Sequence, residues 1–403
     1  MYKLLATSAL VAAGLWGAMD SASAQQAKPG FPWATSPISV VVGGYHAQIF
    51  GTASNKDNIS LSTAATSASL NRTGQHSDSE IWFGGRTTLA NGIAIGFDVQ
   101  LEGNTSGDVI DESYMFIDGA FGRLVMGSEN AVDSIMHYGA PGVSASGQIS
   151  YGTTNGPNVV NWVQRPANVT AHINSESGCG ALGGNGYPNS GCDQQRVNYF
   201  TPRVAGFSAG VSYTPNFTTG GGLTTSHEDT NSLSNRRTER SNVWHGAVNY
   251  VNTVAGIGVN LSAGVTSAPA VSNAAAGTPG AGKITDASFG GFLEYSGFAV
   301  GGHYRRIDAE NQADNGSNWS VGGRYTSGPI QVGIYHQQSA ADGALNNSGR
   351  DKFSAQQLAG SYNLGPGIDL IAAIFKVKYQ DETTAAANNN SGGGGITGIV
   401  MRF

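Results

Sequence analysis

Eight histidines and two cysteines are the side chains of this sequence best suited to metal binding or nucleophilic chemistry. The histidines, His46, His76, His137, His172, His227, His245, His303 and His336, are scattered. None stands in an H-E-x-x-H pair and no G-x-S-x-G serine accompanies them, so neither a zinc protease nor a serine–histidine couple is indicated. The glycine run "SGGGG" at 391–395 lacks the lysine that would hold a phosphate. No catalytic residue, metal or cofactor is expected. Cys179 and Cys192 have neither C-x-x-C redox spacing nor histidines placed to complete a zinc site.

A second kind of chemistry lies in charge placed by period. In "GIAIGFDVQLEGN", Ile93, Ile95, Phe97, Val99 and Leu101 occupy every second position, and Asp98, Gln100 and Glu102 fall between them. A period of two is a β-strand with one apolar and one polar face. The question is which face points inward.

Composition narrows the answer. Of 403 residues only 12% are charged, yet mean hydropathy is −0.18, because the polarity comes from Ser, Thr, Asn and 59 Gly. The net charge of −6 leaves no electrostatic footprint for nucleic acid. The start, "MYKLLATSALVAAGLWGAMDSASA", has a lysine, an apolar run and a small-residue Ala22-Ser23-Ala24 site. It reads as a cleaved export signal over 1–24, followed by a lead-in over 25–37. Export to an oxidising compartment predicts a Cys179–Cys192 disulfide. Beyond residue 24 no apolar run of about 18 residues remains to form a membrane helix. A closed β-barrel needs none, since each strand crosses with only ~9–11 half-polar residues.

Sixteen alternating runs fall between 38 and 403, the first at 38–50, the third at 93–104 and the last at 394–403. The connections between them alternate in length. "ANG", "AF", "RVA", "TVAG", "SG", "SG" and "GPG" are short, whereas "GTASNKDNISLSTAATSASLNRTG" and "TTGGGLTTSHEDTNSLSNRRTER" are long. A soluble sandwich has no reason to gather every short turn at one end, but a membrane barrel does. An even strand number lets the first strand pair with the last and removes both sheet edges. The fold expected over 38–403 is therefore an all-β, 16-stranded antiparallel transmembrane barrel. Its apolar positions face lipid: Ile93 to Leu101 on alternate residues, with Ile81, Phe83, Phe207, Trp244, Leu261 and Tyr295. Its polar positions face the lumen: Asp98, Gln100, Glu102 and Glu112, and by phase His46, His245 and His303.

One connection, about 129–194, far exceeds ordinary loop length. Around it, "DESYMFIDGAFGRLVMGSENAVDSI" and "RVNYFTPRVAGFSAGVSYTP" resemble the Gram-negative general porins of the alphaproteobacterial type, and the terminal Phe403 fits them. The resemblance implies a homotrimer whose third loop folds into each barrel. It also implies acidic loop residues, here Glu129 and Asp133, facing an arginine wall, here Arg86 and Arg196 with Arg123 near the turn. Arg305 and Arg324 are inward by phase on the far wall. Such opposed rows set up a transverse field that favours polar solutes. The function expected is passive diffusion of small hydrophilic solutes and ions across the outer membrane, among lipid and lipopolysaccharide. The alternatives are a substrate-selective channel in the same barrel, with Tyr151 and Trp162 along its constriction, and a barrel enzyme.

Overall fold

A computed structural model describes residues 38–61, 67–103, 110–143, 162–169, 172–173, 182–183, 194–217, 240–270, 282–310, 315–343 and 349–403. The export signal, the lead-in, Tyr151, Cys179 and Cys192 lie outside the described residues.

Sixteen antiparallel strands form one closed barrel in which every strand pairs with its sequence neighbours. They are β1 (Ser39–Ala53), β2 (Thr73–Thr88), β3 (Ala94–Glu102), β4 (Ile110–Gly119), β5 (Gly122–Glu129), β6 (Gln194–Phe200), β7 (Phe207–Phe217) and β8 (Arg240–Val254), then β9 (Ile257–Ala268), β10 (Ile284–Tyr295), β11 (Phe298–Ala309), β12 (Gly316–Ser327), β13 (Ile330–Asp342), β14 (Arg350–Gly365), β15 (Ile368–Gln380) and β16 (Asn390–Arg402). β1 closes the ring on β16 from Tyr45↔Arg402 to Ala53↔Gly394, and Gly44 and Phe403 exchange backbone hydrogen bonds of 3.1 Å beyond the last pair. Among the described residues no helix is long and apolar enough to cross a membrane.

The short connections all lie at one end. Three of them place both central residues at positive φ: Ala205–Gly206, Ala255–Gly256 and Ser296–Gly297. That is the turn whose twist matches two antiparallel strands, and glycine at its second position carries no Cβ clash.

The apolar faces point outward. Phe298, Tyr295, Phe289 and Ile334 are each more than half exposed. Aromatic pairs cluster beside the short turns, with Phe207 and Tyr250 at 4.7 Å and Phe298 and Tyr325 at 4.4 Å between ring centres. A second set, Tyr213 with Trp244 and Phe289 with Tyr304, stands six residues further along the same strands, about 20 Å by strand rise. Two aromatic belts bounding an apolar band are what a membrane barrel presents to lipid.

One sector departs from apolar-out, polar-in. On β1 the buried positions are Tyr45, Ala47 and Ile49, so His46 shares the outward face of Val42 and Phe50 and does not line the lumen as its phase suggested. On β15, Ile371, Phe375, Val377 and Tyr379 point inward and are buried. The cause is the long connection. Its Val143, Val163 and Val169 pack inside the barrel against Ile49, Phe375, Val377 and Ile396, with Trp162 beside them. The apolar core of this molecule lies within the ring, on one side of it.

Candidate pore lining and constriction

The connection between β5 and β6 turns inward immediately after Glu129 and follows the inner wall strand by strand. A single helical turn, α1 (Val132–Ile135), lies against β7, β8 and β9. Val132 donates its backbone N–H to Ser212 Oγ at 2.9 Å. Asp133 is buried: Thr266 Oγ1 donates to its Oδ2 at 2.7 Å, and His245 Nδ1 lies 3.0 Å from its Oδ1. Burial opposes ionisation of Asp133, but the charge and hydrogen bonds of His245, Thr266 and Arg196 outweigh it and hold the carboxyl at about 2. Further along, Asn249 donates to the Met136 carbonyl at 3.2 Å and the Tyr138 N–H donates to Ser262 Oγ at 2.7 Å. Arg324 Nη1 then donates to the Gly142 carbonyl at 3.0 Å.

The wall makes room for this path with glycine. A Cβ on Gly264 would stand 2.7 Å from Asp133 Cβ, and one on Gly290 would stand 2.4 Å from the Tyr138 carbonyl oxygen. Both distances are shorter than real Cβ contacts, so these inward positions on β9 and β10 act as a seat. Across the ring a second part of the connection is fixed through Asn55, whose Nδ2 donates to the Trp162 carbonyl at 3.3 Å and whose Oδ1 accepts the Gln164 N–H at 2.8 Å. Trp162 abuts Gly51 and Gly74 and belongs to the packed interior.

The residues named from the sequence distribute as follows. Glu129 ends β5 and is buried, accepting the Asn130 N–H at 2.7 Å. Its register partner is Gln194, two residues before Arg196, so Glu129 and Arg196 share one wall and do not oppose each other across the lumen. Arg196 is buried and donates from Nε to the Gln194 carbonyl at 3.2 Å. Asp133 is held by His245 and is turned into the wall. Arg305, inward on β11, is gripped by Asp286 through Nε contacts of 3.0 Å to both carboxylate oxygens, so its charge is compensated. Arg324 is inward on β12 and also pairs with Glu294 at 2.8 Å. Arg123 lies 3.7 Å from Asp118 and stacks 4.4 Å over the Phe116 ring. Arg86 is inward on β2, opposite Gly96 and two residues from the short turn.

Asp98, Gln100 and Glu102 share the inward phase of β3, beneath outward Phe97 and Leu101. Glu102 is paired in register with Glu80 of β2, and a carboxylate oxygen of Asp111 lies within 4.8 Å of one from each. Asp111 escaped the sequence reading because the β3–β4 register slips by one residue between Val99 and Leu101. A bulge of this kind turns two consecutive residues toward the same side, so Asp111 joins Glu112, which accepts a hydrogen bond from Asn130 Nδ2. Glu80 carried a legible signal, since it shares the phase of Asp78, Trp82 and Arg86 on β2. His245 was inward by phase, as found, but nothing in the sequence tied it or Thr266 to Asp133.

The inner wall is therefore electrically uneven. On β10 to β16 the inward arginines Arg305, Arg324 and Arg402 each have a carboxylate partner. On β2 to β4, Asp78, Glu80, Asp98, Glu102, Asp111 and Glu112 face Arg86 as the one cation those three strands contain. A surplus of one sign on a low-dielectric wall raises the local concentration of the opposite ion.

Comparison with known proteins agrees with this architecture. The family model for the Gram-negative porins matches residues 6–383. Among solved structures, the anion-selective porin from Comamonas acidovorans is similar at 17% identity and a TM-score of 0.59, covering 91% of this chain and 100% of that one. The outer-membrane channel DcaP of Acinetobacter baumannii is similar at 9% identity and a TM-score of 0.58, covering 91% and 97%. The trimer form of OmpT from Vibrio cholerae is similar at 13% identity and a TM-score of 0.54, covering 91% and 100%. No curated protein sequence matches. With a closed ring of sixteen strands, an outward apolar band and a family match over most of its length, the chain belongs to the Gram-negative porins, the non-enzymatic channels of the outer membrane.

Proposed function

We propose that this porin, of the alphaproteobacterial type, is a homotrimer in which each barrel passes small hydrophilic solutes and ions and the segment after β5 sets the narrowest passage. Export with residues 1–24 removed would deliver it to a membrane of lipid and lipopolysaccharide, and it has no nucleic-acid partner. The observation that carries the reading is the run of contacts from Ser212 to Arg324, which holds residues 132–142 along the inner wall. OmpT of Vibrio cholerae, solved in a trimer form, supports the assembly. Glu129 and Asp133 anchor the narrowing segment. The field that solutes meet comes from Glu80, Glu102 and Asp111, with Asp98, Gln100 and Glu112 beside them and Arg86 nearer the short turns.

Reconstitution in planar bilayers tests this. Stepwise conductance from folded protein is expected, and its absence overturns the reading. A substrate-selective channel would instead show saturable block by one solute at low concentration. Trp162, an aromatic such a channel would use, packs partly buried against the interior cluster.

A further inference from the structure

Two imidazoles meet where the docked segment crosses the wall of the barrel. The ring centres of His137 and His303 are 6.0 Å apart, and the rings stand edge to face at 80°. His303 is inward on β11 and buried, whereas His137, two residues after α1, is only half-buried. The segment presses closely on the wall here. A Cβ on Gly290 of β10, the register partner of His303, would stand 2.4 Å from the Tyr138 carbonyl oxygen and 2.8 Å from His303 Cβ.

Both rings are held from their backbones. On one side of His137 the Met136 carbonyl accepts from Asn249 at 3.2 Å, and on the other the Tyr138 N–H donates to Ser262 Oγ at 2.7 Å. The His137 N–H itself donates to the Ser134 carbonyl at 3.1 Å. His303 sits in the ladder between Gly290 and Ser320, and its Nδ1 lies 2.6 Å from Ser320 Oγ. A hydrogen bond donated by Nδ1 puts the imidazole lone pair on Nε2, which is how metal-binding histidines are oriented. Arg305, the next inward residue on β11, is compensated by Asp286, so its charge does not repel a metal ion.

Zinc bonds an imidazole nitrogen at about 2.0–2.1 Å, which puts it ~3.2 Å from the ring centre, so two rings sharing one ion have centres at most about 6.4 Å apart. The observed 6.0 Å lies inside that limit. We propose that His137 and His303 form a binding site for a divalent transition-metal ion of the kind imidazole favours, zinc, copper or nickel, with water completing its coordination. The bound ion joins the docked segment to β11 and adds two positive charges beside the passage. The inference rests on the docking of the segment after β5 and holds whichever solutes the channel passes.

The test uses the folded full chain in detergent, with Zn2+ and Cu2+ as probes and the gel mobility of the unheated barrel as the check on folding. Calorimetric titration with Zn2+ should reveal a site that His137→Gln and His303→Gln each weaken at least about tenfold, since losing even a group that orients a ligand costs about 10–100-fold. Ser320→Ala should weaken it by about tenfold. His336→Gln, on the outward face of β13, should leave it unchanged. Bound Cu2+ should show electron-spin coupling to two imidazole nitrogens in the wild type and to one in either histidine variant. In planar bilayers Zn2+ should move the reversal potential toward anions, and a chelator should restore it. Zn2+ affinity undiminished in both histidine variants, or coupling to a single nitrogen in the wild type, overturns the site. An equal loss in His336→Gln overturns it too. Absence of conductance with the two-nitrogen signal intact would instead count against the porin reading and support the site.

Discussion

Asp133 and His245 join the long connection to the barrel wall through a 3.0 Å contact between side chains that are both buried. The pair fixes the start of the docked segment to β8. A carboxyl held at about 2, against about 3.9 in an unfolded chain, contributes stability that is fully present above about pH 4 and is lost as the pH falls through 2. The contribution is on the order of 2–3 kcal/mol. The protection of residues 132–138 against amide exchange, relative to the intrinsic rate at each pH, should therefore be steady from pH 7 down to 4 and fall below it. Loosening that is complete by pH 5 would rule this anchor out.

Removing the imidazole should imitate acid. In His245→Ala the carboxylate stays buried without its partner, a change that costs roughly 3–5 kcal/mol for buried pairs. The cost falls on the docked segment and not on the strand ladder. Limited proteolysis should cut near 131–143 in the variant while the unheated barrel keeps its compact gel mobility. A globally unfolded variant would mean that the pair supports the ring itself.

Glycine at the seat is needed for space. Gly264→Val puts carbon where Asp133 already stands and should displace α1, with an overpacking cost of about 1–3 kcal/mol. Single-channel conductance should change. Gly246→Ala, on the outward face of β8 with its nearest neighbour 3.7 Å away, should leave conductance as it was. Equal effects from the two substitutions would show that the wall is not shaped for the segment.

The acidic sector should govern ion preference. Under a salt gradient, Glu80→Gln/Glu102→Gln/Asp111→Asn should move the reversal potential toward anions, and Arg86→Ala should move it toward cations. Asp133→Asn should move it less than the triple change, because Asp133 is buried against the wall beside His245 and Thr266. A larger shift from Asp133→Asn would place it in the ion path.

Phe97 and Gln100 test the facing of β3. Phe97 covers Gly85 of β2 on the outward side, so Phe97→Arg should cost about 2–4 kcal/mol near mid-membrane. Gln100→Arg should cost little and alter conduction. Unfolding titrations in lipid vesicles that give the reverse order would invert the strand.

The strand order and the end at which the turns lie were legible in the sequence because alternation and turn chemistry are local. Ile93 to Leu101 show their facing without help from any other part of the chain. "IDLIAAIFKVKYQ" does not. There Lys376 and Lys378 point out and Val377 and Tyr379 point in, because Val163 and Val169, some two hundred residues earlier, cover that part of the inner wall. His46 was misplaced for the same reason. Asp111 was hidden by a register slip that no period reveals. Glu129 and Arg196 were assigned to opposed walls, but the hydrogen-bond ladder makes them neighbours.

The interior apolar cluster straddles the seam of the barrel. Ile49 lies on β1 and Ile396 and Val400 on β16, the two strands that join the ends of the chain. Pairing of residues 45–53 with 394–402 is the contact of greatest sequence separation in the ring, and such contacts are slow to form because so much chain must be ordered first. Burial of Val163 and Val169 against both edges gives that late step an apolar driving force that the ladder alone lacks. The segment docked inside the barrel thereby holds the first and last strands together from within the ring.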